Sequence, residues 1–214
     1  LGEGGTPLVR AINLGMMLGC PNIYIKDERQ GPTNSFKDRQ AGVTISALKE
    51  AGITELVVAS TGNVSISYSA YAARSGIKCW AFLTSQVPSG KMREVAIYGT
   101  QVIKITGSYD QCKALAAGFA RQRALYLDTG ARSIPCIEAM KTIAYEITEQ
   151  ITALSGPPKH GADEAGGAPF TAPDWYLQAV SGGMGPLGVI KGFDEMLKMG
   201  WIDRIPKFGI IQSE

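Results

Sequence analysis

Apolar positions along the chain follow two rhythms, and from residue 56 onward the two take turns. Compact apolar runs at residues 56–59, 78–83 and 101–105 predict strands. Residues 64–75, 91–98 and 109–121 repeat their apolar positions every three or four residues and predict helices. Gly76, Gly99 and Gly107 punctuate the series. Strands and helices alternating at this spacing indicate crossover units on a parallel sheet, and residues 124–127 read as one more strand.

The flanking segments are less regular. Residues 1–8 are glycine-rich and extended, 9–18 have mixed helical periodicity, and 23–26 read as a strand. Gly31-Pro32-Thr33-Asn34 is a turn, Ser35 a candidate N-cap, and a helix is expected from the Lys37 turn to about residue 49. Residues 133–139 read as a connection into a helix over 140–154. A stretch rich in Gly, Pro and Ala, residues 155–173, reads as a flexible loop. A strand at 175–180, the glycine turn Ser181-Gly182-Gly183-Met184-Gly185-Pro186, a helix at 187–199 and a strand at 208–212 follow. Such an α/β fold is expected to carry more strands, so the 214 residues read as part of a longer protein.

Composition narrows the chemistry. An apolar content of 45% with 19% charged residues is ordinary for a globular protein, and a net charge of +2 is too weak a basic excess to point to nucleic acid. No apolar run approaches the ~20 residues of a membrane helix, and no signal peptide is expected. Cys20, Cys79, Cys112 and Cys136 are scattered, as expected of reduced thiols in the cytoplasm. His160 is the only histidine, so a zinc site or a Ser-His-Asp triad has almost nothing to use, and no metal is expected.

Lys37 is the first candidate for chemistry. The positive end of a helix dipole disfavours an ammonium and pushes a lysine toward its neutral, nucleophilic amine, the form that makes Schiff bases. Two turns follow strands and precede helices, the position where parallel sheets bind ligands. Ser60-Thr61-Gly62-Asn63 suits a carboxylate or a phenolic oxygen, although plain helix capping explains it equally well. Ser181 to Gly185 offers bare amides to a phosphate. Gly183, Gly185 and Gly188, with Glu214 after the next strand, also satisfy a dinucleotide pattern, so an NAD(P)-binding oxidoreductase is the alternative. A non-catalytic subunit keeping the fold is a third reading. A reactive lysine, a phosphate cradle and a carboxylate turn together suggest pyridoxal 5'-phosphate.

The stretches Gly2-Glu-Gly-Gly-Thr-Pro-Leu8, Lys26-Asp-Glu28, Pro32-Thr-Asn-Ser-Phe-Lys-Asp-Arg39, Ala59-Ser-Thr-Gly-Asn63 and Lys141-Thr142 closely resemble threonine synthase and its fold-type II pyridoxal phosphate relatives, in the correct order. The resemblance implies a two-lobed α/β enzyme with open, mostly parallel twisted sheets flanked by helices, C-terminally incomplete here. The larger cofactor-binding lobe would comprise residues 1–55 and 132–214, and the smaller mobile lobe residues 56–131. Lys37 would be the Schiff-base lysine. Phe36 would pack by the cofactor ring, Asn63 would bond the ring's 3′ oxygen, and Gly182, Gly183, Met184 and Gly185 would hold its phosphate. Ser60, Thr61 and Gly62 would hold the substrate carboxylate. The implied activity is a lyase or transferase acting on a small amino acid by elimination or replacement, in a cytoplasmic homodimer without nucleic-acid or membrane partners. Threonine synthase, cysteate synthase, threonine dehydratase and the 2-amino-4-oxopentanoate thiolase β-subunit are the candidate activities.

The departures from the family pattern are specific. Gly31 and Asn34 stand where the family usually has Asn and Gly, and Val64 where it usually has Thr. Cys136 stands where the family carries the arginine that grips the phosphate of phosphohomoserine. A thiol cannot replace a charge-assisted bidentate pair, which puts a phosphorylated substrate in question.

Overall fold

A computed structural model describes residues 1–60, 62–155 and 168–212. In chain order the elements are β1 (Leu8–Arg10), α1 (Ile12–Leu18), β2 (Tyr24–Lys26), α2 (Lys37–Glu50), β3 (Glu55–Ala59), α3 (Asn63–Ser75), β4 (Lys78–Thr84) and α4 (Ser89–Ala96). There follow β5 (Gln101–Ile105), α5 (Tyr109–Gln122), β6 (Tyr126–Leu127), α6 (Ile134–Ser155), β7 (Trp175–Ala179), α7 (Met184–Lys198) and β8 (Lys207–Ile211). The chain divides into two compact units, Leu1–Glu3 with Gly31–Cys136, and Gly4–Gln30 with Ile137–Glu214.

The first unit contains the alternating segment. Its strands form one parallel sheet in the order β5-β4-β3-β6. Because side chains alternate across a strand, Leu56 and Val58 pack with Ala41, Ile45 and Tyr68 on one face, while Val57 and Phe82 pack with Cys112, Ala116 and Ala120 on the other. Both faces are therefore covered, as parallel sheets require. Phe119 of α5 closes the second face, its ring 5.1 Å from Trp80 and 5.3 Å from Phe82. The chain builds outward from β3 through β4 to β5, then returns to the other side of β3 with β6. Parallel sheets bind ligands in the crevice at such a reversal, beyond the carboxyl ends of the two strands, which here are β3 and β6.

The second unit pairs β1 with β2 antiparallel and β7 with β8 in parallel, Trp175 opposite Lys207 and Ala179 opposite Ile211. Lys26 at the end of β2 is held by Thr6 O at 2.5 Å, Glu146 at 2.7 Å and Gln150 at 2.9 Å, which ties the N-terminal strand pair to α6. The crossover helix α7 buries Met184, Gly188, Val189, Gly192, Phe193 and Met196, a stripe at helical spacing. Gly188 and Gly192 lie against α6: a Cβ on Gly188 would collide with the Met140 side chain and the Ile137 carbonyl, and one on Gly192 would lie 2.8 Å from Lys141 O. The third glycine of the dinucleotide pattern is thus a packing residue.

A charged cluster fastens the same two helices. Lys141 bridges Glu138 and Glu195, Tyr145 Oη donates to Glu195 at 2.7 Å, and Lys191 reaches Glu138. Hydrogen bonding from Lys141, with lesser help from Lys191, holds the Glu138 carboxyl below its usual range, and Lys141 with Tyr145 does the same for Glu195. Lowered folded values mean that this contribution is present above the unfolded carboxyl range and is lost as pH falls through the folded values. Melting temperatures between pH 7 and pH 3 are expected to fall less steeply in Glu138→Gln/Glu195→Gln than in the parent, and parallel slopes would contradict this.

Three boundaries differ from the periodicity. Residues 9–18 split into β1 and α1, because Leu8, Val9 and Arg10 pair with β2 before the helix begins. Residues 133–139 are largely helical, as α6 begins at Ile134 with Pro135 in its first turn, where a missing N–H costs nothing. α7 begins at Met184, with Pro186 likewise in its first turn. Of the 155–173 stretch, residues 156–167 lie outside the described residues.

Candidate active site

The turn before α2 is built by its own side chains. Asn34 N donates to Gly31 O at 3.0 Å, and Asp38 turns back to accept from Thr33 N at 2.8 Å and from the Thr33 hydroxyl. Gly31 leaves room for this carboxylate, since a Cβ there would lie 2.7 Å from Asp38 Oδ2. Asn34 has φ 56°. This left-handed backbone is one that glycine adopts freely and asparagine tolerates, which accounts for Asn where the relatives usually have Gly. Asn34→Val is expected to cost about 1–2 kcal/mol in denaturant unfolding because a β-branched residue resists this conformation; an unchanged midpoint would contradict it.

Lys37 is the first residue of α2, as the sequence indicated, but Ser35 does not cap in the expected way. Phe36 occupies the cap position with helical φ and ψ, and the Ser35 hydroxyl accepts from Lys37 N at 3.2 Å. The amine of Lys37 lies 4.2 Å from the centre of the Phe36 ring. Burial pushes this amine below the ordinary lysine range, opposed by the nearby side chains of Cys136 and Asp128. Burial is thus the leading cause of the depression.

Ser60 and Gly62 follow β3 at the mouth of the crevice, and Asn63 opens α3 with its side chain exposed. Ser60 is engaged at both ends: its hydroxyl accepts from Gly62 N at 3.4 Å and its carbonyl accepts from Ser65 Oγ at 2.9 Å. Gly62 is extended, and a Cβ on it would meet nothing within 4 Å, so the turn keeps open space beside it. Thr61 lies outside the described residues, as do His160 and Glu214.

A polar cluster that sequence reasoning missed lines the same crevice. Asp128 follows β6, its N–H bonded to Val57 O at 3.0 Å, which sets it beside the carboxyl end of β3. Its Oδ1 accepts from Tyr68 Oη at 3.1 Å, Gly130 N at 3.3 Å and Cys136 Sγ at 3.4 Å. Tyr68 Oη also accepts from the Thr44 hydroxyl at 3.1 Å, and Gln40 Nε2 approaches Cys136 Sγ at 3.9 Å. Lys37, Gln40 and Thr44 stand at i, i+3 and i+7, one face of α2. Burial raises both Tyr68 and Cys136, so both are neutral donors. A polar residue just past a strand's carboxyl end was the available signal for Asp128.

The second glycine turn belongs to the second unit. Gly183 is left-handed at φ 73° and serves as N-cap of α7. A Cβ on Gly182 or Gly183 would meet nothing within 4 Å, and the amides of Met184 and Gly185 have no partner among the described residues. Free amides at a helix start with open space before them fit an anion. On the remaining side the turn is closed by Gln178, whose amide a Cβ on Gly185 would strike. No group of His, Cys, Asp and Glu able to hold a metal occurs among the described residues, and no helix there is long and apolar enough to cross a membrane.

A family model described as pyridoxal-phosphate dependent enzyme matches residues 1–214. Threonine synthase of Methanocaldococcus jannaschii is 35% identical over 213 residues, 99% of this chain and 48% of its own length. The chain therefore spans about half the length of such curated relatives. Among solved structures, the processed form of threonine deaminase isoform 2 from Solanum lycopersicum superposes with TM-score 0.75 at 20% identity, covering 97% of this chain and 50% of that one. Apo diaminopropionate ammonia lyase from Escherichia coli superposes with TM-score 0.79 at 17% identity, covering 99% and 60%. At these identities the likeness is one of fold.

Proposed function

Since the chain belongs to the pyridoxal-phosphate dependent enzyme family, we propose that it is a lyase or transferase acting on a small amino acid by elimination or replacement, with Lys37 as its cofactor lysine. The observation that carries this reading is Lys37 itself, a half-buried lysine at the first position of α2 whose amine is shifted toward neutrality. Bound pyridoxal phosphate supplies an electron sink for the bonds at the α-carbon of an amino acid.

The chain's own residues supply the rest. The free amides of Met184 and Gly185, with Gly182 and Gly183, would hold the cofactor phosphate. Phe36 would lie beside the ring and Asn63 would bond its 3′ oxygen. Ser60, Thr61 and Gly62 would clamp the substrate carboxylate, and the Lys37 amine would take and return the α-proton. Closure of a mobile lobe of about residues 56–131 over the substrate and assembly as a homodimer belong to the same reading. The dinucleotide reading is disfavoured by the family to which the chain belongs, since close packing at the third glycine fits either pattern. The test is an absorption band on addition of pyridoxal phosphate that is present in the parent and missing in Lys37→Ala; a band of equal strength in both would reject the assignment.

A further inference from the structure

We infer that Asp128 determines substrate specificity, selecting a short amino acid whose side chain ends in a cation and rejecting one that ends in a phosphate. The inference rests on the reading of Lys37 as the cofactor lysine and names the substrate class of that site.

Cys136 is fully buried, its sulfur turned to Tyr68, Thr44 and Asp128. No cation can be offered to a substrate phosphate from that position. Arg132, the nearest arginine in sequence, is exposed. In place of the missing cation the crevice holds a carboxylate. Three donors converge on Oδ1 of Asp128, which fixes its orientation, while Oδ2 has no partner among the described residues and the side chain is only half-buried. Asp128 N bonds Val57 O, which sets the residue just past β6 and alongside the end of β3, the strand that leads into the Ser60 turn; ligands of parallel sheets bind beyond those carboxyl ends. A phosphate there would meet like charge with no charge-assisted donor to offset it, whereas an ammonium would gain a charged hydrogen bond. The relation of Asp128 to the lysine is geometric as well. Thr44, on the Lys37 face of α2, shares Tyr68 Oη with Asp128.

The test uses the holoprotein and two ligands of equal carbon count, L-2,3-diaminopropionate and O-phospho-L-serine, with L-alanine as a neutral reference. Binding is read from the change each causes in the cofactor's absorption. The expected result is tighter binding of the diamino acid by about tenfold or more, which corresponds to ~1.4 kcal/mol. Asp128→Asn retains an acceptor for Tyr68 and Gly130, and with each affinity referred to that for L-alanine it is expected to reduce the preference to within about threefold. Equal or tighter binding of O-phospho-L-serine by the parent would overturn the proposal without recourse to any variant, and so would an unaltered preference in a folded Asp128→Asn. Absence of a cofactor band in the parent would instead remove the Lys37 reading, and this inference with it.

Discussion

Lys37→Ala is expected to lower turnover by about a thousandfold or more and to abolish covalent retention of the cofactor. The size of the effect follows from the double duty assigned to one amine. It anchors the cofactor and, once freed by the substrate, moves the α-proton; general acid-base catalysis alone is worth about 10²–10⁴. Stability is expected to change little, because the half-buried amine has no hydrogen bond among the described residues and its only close partner is the Phe36 ring. Circular dichroism and thermal melting of the variant check that separation. A variant that unfolds would make Lys37 structural, and one that keeps more than about a tenth of the activity would remove it from the chemistry.

The second large effect is expected at Gly188. A Cβ there would enter the space of the Met140 side chain and the Ile137 carbonyl, and the carbonyl belongs to α6 backbone that cannot step aside as a flexible side chain would. Gly188→Val is therefore expected to destabilise by about 3 kcal/mol through overpacking and its lower helix propensity. The first turn of α7 carries the free amides of Met184 and Gly185, so a displaced helix is also expected to weaken cofactor binding. Denaturant unfolding and cofactor titration measure the two effects. A change within about 0.5 kcal/mol, the range of ordinary surface substitutions, would contradict the packing role.

Much of this architecture is legible in the sequence, for a stated reason. The central strands and helices of the first unit are bounded by glycines and carry full periodic patterns, so α2, α3, β4, β5 and α5 begin and end within a residue or two of the expected positions. Where the pattern is short the sequence misleads. Three residues of β1 cannot show a period, and proline at 135 and 186 looks like a break although the first turn of a helix accepts it. Local reasoning at Lys37 found the right element through the helix dipole alone, whereas burial, which also depresses the amine, is a tertiary property that no single segment displays. Asn34 illustrates the opposite case. Its departure from the usual glycine looks arbitrary until φ 56° shows that both residues satisfy the same backbone.

Asp128, Tyr68, Thr44 and Cys136 were the hardest to foresee, because their bonds join residues 24 to 92 positions apart, apart from Cys136 to Asp128. Only the return of β6 to the side of β3 brings them together. The sequence showed Cys136 as a missing arginine. The structure gives the replacement its partners, Tyr68, Thr44 and Asp128.

The central claim is that Lys37, among all the lysines, carries the cofactor. Lys26 and Lys141 are already engaged by carboxylates, and these hold Lys141 above the ordinary lysine range. Borohydride reduction of the protein after loading with pyridoxal phosphate, followed by digestion and peptide mass analysis, tests this directly. The expected result is a phosphopyridoxyl mass confined to the peptide containing Lys37; the same mass on any other lysine in comparable yield, or on none, would contradict the account.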